Sequence, residues 1–565
     1  MGAATTQASD RVRFGIDGLD NVLFGGLVRH NHVLLEGPAG SGKTTLALSF
    51  LYAGALCSEH HEAQRLQRVQ SLQASSPEPE PGLFVSFEMS PSKLLRDAHG
   101  FGWELADLMR QGTFTAIEAT PAFLLQDLRI EHGAFAHQLR AHGIKRLVID
   151  GLTPLRLAFE RSAMSKAMSF RTCLQQLLGA LTRLGVTTIV TSESDGLSSA
   201  QLADERYVFD TLITLKRGMH TDRGHASANQ RALEIVKSRG QDFVEGRHTL
   251  RIEAGRGAVV YQRAQSREPS YRCTQGPELR ELHSFGSPAI DQLFGGGLYS
   301  GSITLVHGTA GTGKTVAGLQ FLVAGAQQEQ AQAGLMVSLD EQPAQLIRNA
   351  KTLDFPIEAL VDSEQLCFLY DSPLDLDLDV HFDCIVKLVE RQNIRRIVFD
   401  SLARYEQHEK VSGQDVNGFL YAVAAFCKAR GVLVVFNYDS PERQGLSPLG
   451  DALSINWKGV QSVDNIVLLS YAELATGLRR AIAVPKARGR RTVQLMREYV
   501  IGSGGLTLAD VADEDQLAGP TAATFAGYLN LLSRSPAGAG RESLEPIAAS
   551  ALPLSAELQR SQATE

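Results

Sequence analysis

Three observations predict an α/β chain whose fold is built twice, each half around a central, mostly parallel sheet. A glycine-rich loop stands between an apolar run and a helix-like segment at residues 37–45 (GPAGSGKTT), and again at 308–315 (GTAGTGKT). Several other segments recur at nearly the same offset from those loops. The length, 565 residues, exceeds what one hydrophobic core usually accommodates.

Taken in order, the apolar runs HVLLE and SITLVH read as buried strands, and TLALSFLYAGAL and VAGLQFLVAGAQ as the helices that follow. The loops between them fit G-x-x-x-x-G-K-[ST], the phosphate-binding pattern, and the strand–loop–helix context makes each a nucleotide site. Their lysines, Lys43 and Lys314, lie 271 residues apart (314 − 43). Gly37, Gly40 and Gly42, and Gly308, Gly311 and Gly313, let backbone N–H groups converge on phosphates. Lys43 and Lys314 are expected on the β- and γ-phosphates of ATP, and the Thr44 and Thr315 hydroxyls on Mg²⁺. Ser41, Thr45 and Thr312 complete the loops.

The duplication runs well beyond the loops. FGIDGLDNVLFGGLVRHNHVLLEG precedes the first and FGSPAIDQLFGGGLYSGSITLVHG the second, with Asp20 and Asp291 again 271 apart (291 − 20). GIKRLVIDGL matches NIRRIVFDSL, which aligns Asp150 with Asp400 at the ends of apolar strands. A carboxylate at that edge can hold a Mg²⁺-bound water. A capping aspartate on a buried strand is the plainer alternative, and the matched repetition argues against it. The strands LFVSFE and LMVSLDE end on Glu88 and on Asp340 and Glu341, candidates to orient or deprotonate an attacking water.

RALEIVKSRG and RAIAVPKARG align Lys237 and Arg239 with Lys486 and Arg488. Residues i and i+2 of a strand share a face, so each pair presents two cations together. They suit fingers that stabilise γ-phosphate charge, even across a subunit interface. Pro485 restricts the second pair to an edge or a strand end.

Offsets also locate the insertions and boundaries. Lys43 to Glu88 is 45 residues and Lys314 to Asp340 is 26, so the first half carries 19 extra (45 − 26). The predicted domains are 1–262, with a polar, Pro/Ser/Glu-rich insertion at about 57–82, and 282–512. A linker at 263–281 joins them, and a low-complexity tail fills 513–565, with a short helix at about 522–533.

These motifs together resemble the KaiC family. GIDGLD before the first loop, FGWELADL at 101–108, ALEIVKSRG and MREYVI carry the resemblance from about residue 12 to about 510. It implies two RecA-like P-loop domains stacked as the rings of a homohexamer, with ATP and Mg²⁺ between neighbouring subunits. It places Glu88, and Asp340 with Glu341, on an adjacent pair of catalytic acids, and the two K-x-R pairs on trans-acting cations. Asp150 and Asp400 are expected to hold Mg²⁺ through water. Trp103 falls on an aromatic near the nucleotide, where the second half has Leu353. Signalling partners of the KaiB-like kind follow from the same resemblance.

The chain departs from the family pattern at informative places. Met89 replaces the second acid of the first half, and Gly151 follows Asp150 where the second half has Asp400–Ser401. Val460 and Gln461 occupy the usual Ser-Thr phosphoacceptor pair, with Ser454 and Ser462 nearby. The function expected is a double-ring signalling or timing ATPase. A serine/threonine autokinase using the second half, a DNA-dependent motor, and a slow ATP-binding scaffold are the alternatives. A net charge of −7 and the lack of a basic-aromatic strip argue against DNA. Six scattered cysteines without a C-x-x-C pair, no signal-like N-terminus and no run of 18 apolar residues point to a cytoplasmic protein away from membranes.

Overall fold

A computed structural model describes residues 11–56, 78–127, 133–194, 204–218, 231–264, 281–373, 376–412, 415–439, 463–474, 477–490 and 496–509. Most of the expected insertion and linker, all of the tail, and Ser454, Val460, Gln461 and Ser462 lie outside the described residues.

The main sheet of the first half is built from nine described strands: β1 (His32–Gly37), β2 (Gly82–Ser86), β3 (Phe114–Glu118), β4 (Arg146–Asp150), β5 (Thr187–Glu193), β6 (Thr211–Arg217), β7 (Arg231–Ser238), β8 (Arg247–Glu253) and β9 (Gly257–Tyr261). They form one sheet in the order β9-β8-β7-β6-β1-β5-β4-β2-β3. The six strands from β3 to β6 run parallel, and β7 to β9 extend the sheet as an antiparallel meander. The parallel strands are continuous apolar runs because helices cover both of their faces.

The second half repeats this plan. Its strands are β10 (Ile303–Gly308), β11 (Gly334–Ser338), β12 (Leu366–Tyr370), β13 (Arg396–Asp400), β14 (Leu433–Asp439), β15 (Asn465–Leu474), β16 (Gly477–Ala487), β17 (Arg497–Gly502) and β18 (Gly505–Leu508). Their order is β12-β11-β13-β14-β10-β15-β16-β17-β18. Two apolar clusters, one on each face of the sheet, form the core of each half. Both halves are RecA-like α/β domains.

The helices that matter for the sites are α1 (Lys43–Ala55), α2 (Leu152–Arg161) and α3 (Phe170–Arg183), then α4 (Lys314–Ala326), α5 (Pro343–Lys351), α6 (Leu378–Gln392), α7 (Leu402–Ser412) and α8 (Val416–Ala429). α1 and α4 are apolar on nearly every side and lie buried against their sheets.

Two repeated devices explain residues that recur in the sequence. Asp20 accepts the Phe14 and Gly15 amides, and Asp291 accepts the Phe285 amide and the Ser284 hydroxyl, so each aspartate ties the entering chain to the fold. Arg146 and Arg396 each lie over a phenylalanine ring, Phe50 and Phe321, and donate to that residue's carbonyl. Their outer partners differ: Glu80 for Arg146, Gln332 for Arg396. Pro485 lies two residues from the end of β16, where the pairing with β15 shifts register between Ile466 and Leu468. The bulge removes the need for its missing donor.

The two halves meet where β8 approaches the start of α6. The Thr249 hydroxyl lies 3.3 Å from Asp377 Oδ1 and 3.1 Å from Asp379 Oδ2, and the Ala264 amide donates to Asp379 Oδ1.

Candidate nucleotide-binding sites

Each phosphate-binding loop leaves the carboxyl end of the central strand, β1 or β10, and turns into α1 or α4. The turn requires left-handed backbone at the residue before the helix: φ is 106° at Gly42 and 90° at Gly313. A side chain there would also strike the antiparallel extension. A Cβ on Gly42 would lie 2.9 Å from Ile252, and one on Gly313 would lie 2.5 Å from Ile501. Those glycines are therefore demanded twice, by conformation and by packing.

Lys43 donates to the Gly37 and Pro38 carbonyls at 2.8 and 3.0 Å, and Lys314 to the Gly308 and Thr309 carbonyls at 3.0 and 2.8 Å. Both ammonium groups thus sit inside the curl of their own loops. Lys314 has a further partner, Asp439, at 2.7 Å. Asp150 and Asp400 end the strands beside the loops. Thr44 Oγ1 lies 3.4 Å from Asp150 Oδ2, and Thr315 Oγ1 lies 2.7 Å from Asp400 Oδ2. Thr191 also donates to Asp150. Burial raises both carboxyls, against the hydroxyls and the loop lysines that lower them. A hydroxyl beside a buried carboxylate, next to an ammonium in a glycine loop, is a donor set that fits Mg²⁺ and a nucleotide phosphate.

The acid candidates follow β2 and β11, the strands next to β4 and β13. In both halves a serine hydroxyl hooks the two following amides: Ser86 accepts from Glu88 and Met89, and Ser338 from Asp340 and Glu341. Asp340 receives two-pronged donation from Arg404 of α7, at 2.8 to 3.0 Å. Glu341 accepts from Asn349 of α5 at 3.2 Å. Its carboxyl is raised by burial and by the charges of Asp400 and Asp340.

The K-x-R pairs lie away from their own loops. The Arg239 amide bonds to the Asp210 carbonyl, and Asp210 caps the His32 amide, so Arg239 stands level with the start of β1. The Arg488 amide bonds to Asp464 and Asp464 to the Ile303 amide, the same arrangement at β10. The loops begin five residues further on, about 16 Å at the usual rise. Lys237 donates to the Arg206 carbonyl and Lys486 to the Val463 carbonyl. Burial lowers both lysines, and the neighbouring arginines lower them further.

Two features were not anticipated. Arg231 and Arg480, the first residues of the repeated RALEIVKSRG and RAIAVPKARG segments, reach the loops in their own half: Nε lies 3.3 Å from the Gly40 carbonyl and 3.4 Å from the Gly311 carbonyl. The repetition of that arginine was the available signal. Trp103 is a buried core residue stacked on Tyr52, ring centroids 5.5 Å apart. Tyr52 lies nine residues along α1 from Lys43, so the indole packs the far end of the helix and does not line the loop.

A glycine loop at the carboxyl edge of each of two sheets of this order defines a tandem RecA-like P-loop protein with two nucleotide sites. A family model described as "ATPase: KaiC" matches residues 12–61, 71–265 and 284–512, and the chain belongs to the KaiC ATPase family. It is 27% identical over 535 residues to the circadian clock oscillator protein KaiC of Picosynechococcus sp., which covers 93% of this chain and 92% of that protein. It is 28% identical over 517 residues to the protein of the same description from Synechococcus elongatus, covering 89% and 90%. Among the described residues, no helix is long and apolar enough to cross a membrane.

Proposed function

We propose that this protein is an ATP hydrolase that works as a head-to-tail homohexameric double ring, with each nucleotide completed by a neighbouring copy. The observation that carries this reading is the position of the two cation pairs. Arg239 and Arg488 stand at the edge of each sheet opposite the loop of the same half, too far to reach its phosphates. The same edge of the first half bears a cleft of about 460 Å³ whose lining includes Arg171, Tyr207, Asp210 and Arg239. A heterologous contact that brings one copy's loop edge to the next copy's cation edge repeats around a closed ring.

In that ring Lys43 and Lys314 bind the phosphates, and the cations supplied in trans offset charge that grows on the γ-phosphate. Thr44 with Asp150, and Thr315 with Asp400, hold Mg²⁺, which neutralises phosphate charge when bound. Glu88 in the first half, and the Asp340–Glu341 pair in the second, orient and deprotonate water. Slow turnover that switches the ring's conformation suits a signalling or timing role, in keeping with the clock description of its relatives. Partners would then be signalling proteins, KaiB-like ones included. The second half also keeps an acid pair at the same end of its sheet as its loop, which suits a serine/threonine autokinase. Radiolabelled ATP followed by mapping tests that reading, and an unlabelled chain rules it out.

Mass photometry with and without ATP tests the assembly. A particle of about 367 kDa with ATP, six times the 61.2 kDa chain, is expected. Weakened assembly is expected for Lys43→Ala and Lys314→Ala. A monomer under every condition would overturn both the ring and the trans assignment of Lys237, Arg239, Lys486 and Arg488.

A further inference from the structure

The acid pair of the second site is not symmetric, and the cause is a residue with no counterpart in the first half. Arg404 occupies the third position of α7, the helix that starts just after Asp400 and Ser401. Its Nε and Nη2 groups donate to both oxygens of Asp340, at 3.0 Å for Nε and at 2.8 and 2.9 Å for Nη2. Its Nη1 is taken up by Gln407 at 3.0 Å. A guanidinium fork of this kind fixes a carboxylate's orientation and occupies the lone pairs that would otherwise receive a proton. The pair is half-exposed, so its role is geometric and its contribution to stability is small.

Glu341 is treated differently. Its carboxylate takes one bond from the neutral Asn349 side chain and otherwise faces the charges of Asp400 and Asp340. One acid is clamped by a cation and its neighbour is left with acceptor capacity beside the catalytic edge of the sheet.

The clamp is held from behind. Tyr405, the next residue of α7, is fully buried, its hydroxyl 2.8 Å from His381 Nε2 and its ring stacked on Phe419 with centroids 5.5 Å apart. His381 Nδ1 bonds Asp371 at the end of β12. This chain of buried contacts fixes the first turn of α7, and with it the origin of the Arg404 side chain. In the first half the equivalent positions are Pro154 and Leu155, and Met89 stands where Glu341 does.

We propose that Arg404 is a positioning residue that holds Asp340 aside and leaves Glu341 as the base of the second site. This rests on the reading of the acid pair as the hydrolytic acids. In the step, the oxygen of water forms the new bond to the γ-phosphorus and its proton passes to a Glu341 carboxylate oxygen. The bond from the γ-phosphorus to the bridging oxygen breaks, and its electron pair stays on ADP. The proton returns to the phosphate product.

The test uses the full chain with the first site silenced by Glu88→Gln, and reads the ATP turnover number of the second site. Glu341→Gln is expected to cost about 100-fold, the lower range for loss of a general base, and Asp340→Asn less than about 10-fold. Arg404→Gln frees Asp340 to substitute, so Glu341→Gln in that background should cost only about 10-fold, while Arg404→Lys, which keeps the cation, should move the penalty back toward about 100-fold. A 100-fold loss in Asp340→Asn with a mild effect of Glu341→Gln overturns the proposal, and that comparison stands even if Arg404→Gln does not fold. An equal cost of Glu341→Gln with and without Arg404 overturns it as well. Unchanged turnover in the double variant Asp340→Asn, Glu341→Gln is a separate outcome: it removes the acid pair from catalysis altogether, and the proposal with it.

Discussion

The two nucleotide sites share a backbone and differ in what surrounds it. Under the first loop, Glu36 is fully buried and receives a two-pronged pair from Arg206. Under the second, the same position is His307, stacked on Tyr438 and pushed down to about 4 by burial and then by Lys314. A neutral imidazole there replaces a buried ion pair. Around the acids the contrast runs the other way: Glu88 is followed by Met89, and Pro154 holds the position of Arg404, whereas Asp340 is followed by Glu341 and is bonded by Arg404. Duplication therefore preserved the glycine loop, its lysine and the Thr–Asp couple. It let the supports and the acids diverge.

The largest expected effect probes a support that diverged. Arg146→Met leaves Glu80 without its principal buried partner and should destabilise the first half by about 3–5 kcal/mol. Arg396→Met leaves only the neutral Gln332 and should cost the second half about 1–3 kcal/mol. Urea titration with hydrogen exchange read on β4 and β13 measures both, and equal losses would break the comparison. Next, Glu88→Gln should lower first-site turnover about 100-fold, because no second acid stands beside it. The assay is phosphate release with the second site silenced by Asp340→Asn with Glu341→Gln.

A smaller effect concerns the contact between the halves. Burial, then the neighbouring Asp377, pushes the Asp379 carboxyl up to about 7. A raised carboxyl favours the fold while protonated, so this contribution is complete below the ordinary value of 3.8 and is lost as pH rises toward 7. Asp379→Asn should flatten that decline, by roughly 1–3 kcal/mol across the window. Thermal unfolding at several pH values checks it, and an unchanged slope would count against the assignment. The smallest effect is expected from Met89→Glu. It gives the first site a second acid with no cation at Pro154 to sort the pair, and should alter turnover by less than about tenfold.

Much of this was legible in the chain. The loops, the strands ending in Asp150 and Asp400, and the pairing of Lys237 with Arg239 and of Lys486 with Arg488 follow from local pattern and repetition. Local pattern could not say that those cations lie at the opposite sheet edge, because that depends on the antiparallel turn from β6 into β7 and from β15 into β16. Arg404 was illegible for a related reason. Its partner is 64 residues away (404 − 340), brought close by the crossover through β12 and β13, and Pro154 leaves no repeat to reveal it. The bulge beside Pro485 was illegible because it leaves no trace in composition. The packing of Trp103 was illegible because an aromatic in the sequence carries no information about which end of α1 it packs on.

Whether each site is built from two copies is tested most directly by subunit mixing. One variant, Glu88→Gln with Asp340→Asn and Glu341→Gln, keeps its cations but has no base. The other, with Lys237, Arg239, Lys486 and Arg488 all changed to Ala, keeps its loops and acids. Each alone should be nearly inactive. Mixed in equal amounts and assembled with ATP, they should recover about a quarter of wild-type turnover, the fraction of contacts that join an intact loop edge to an intact cation edge. A mixture no more active than the sum of its parts would contradict it.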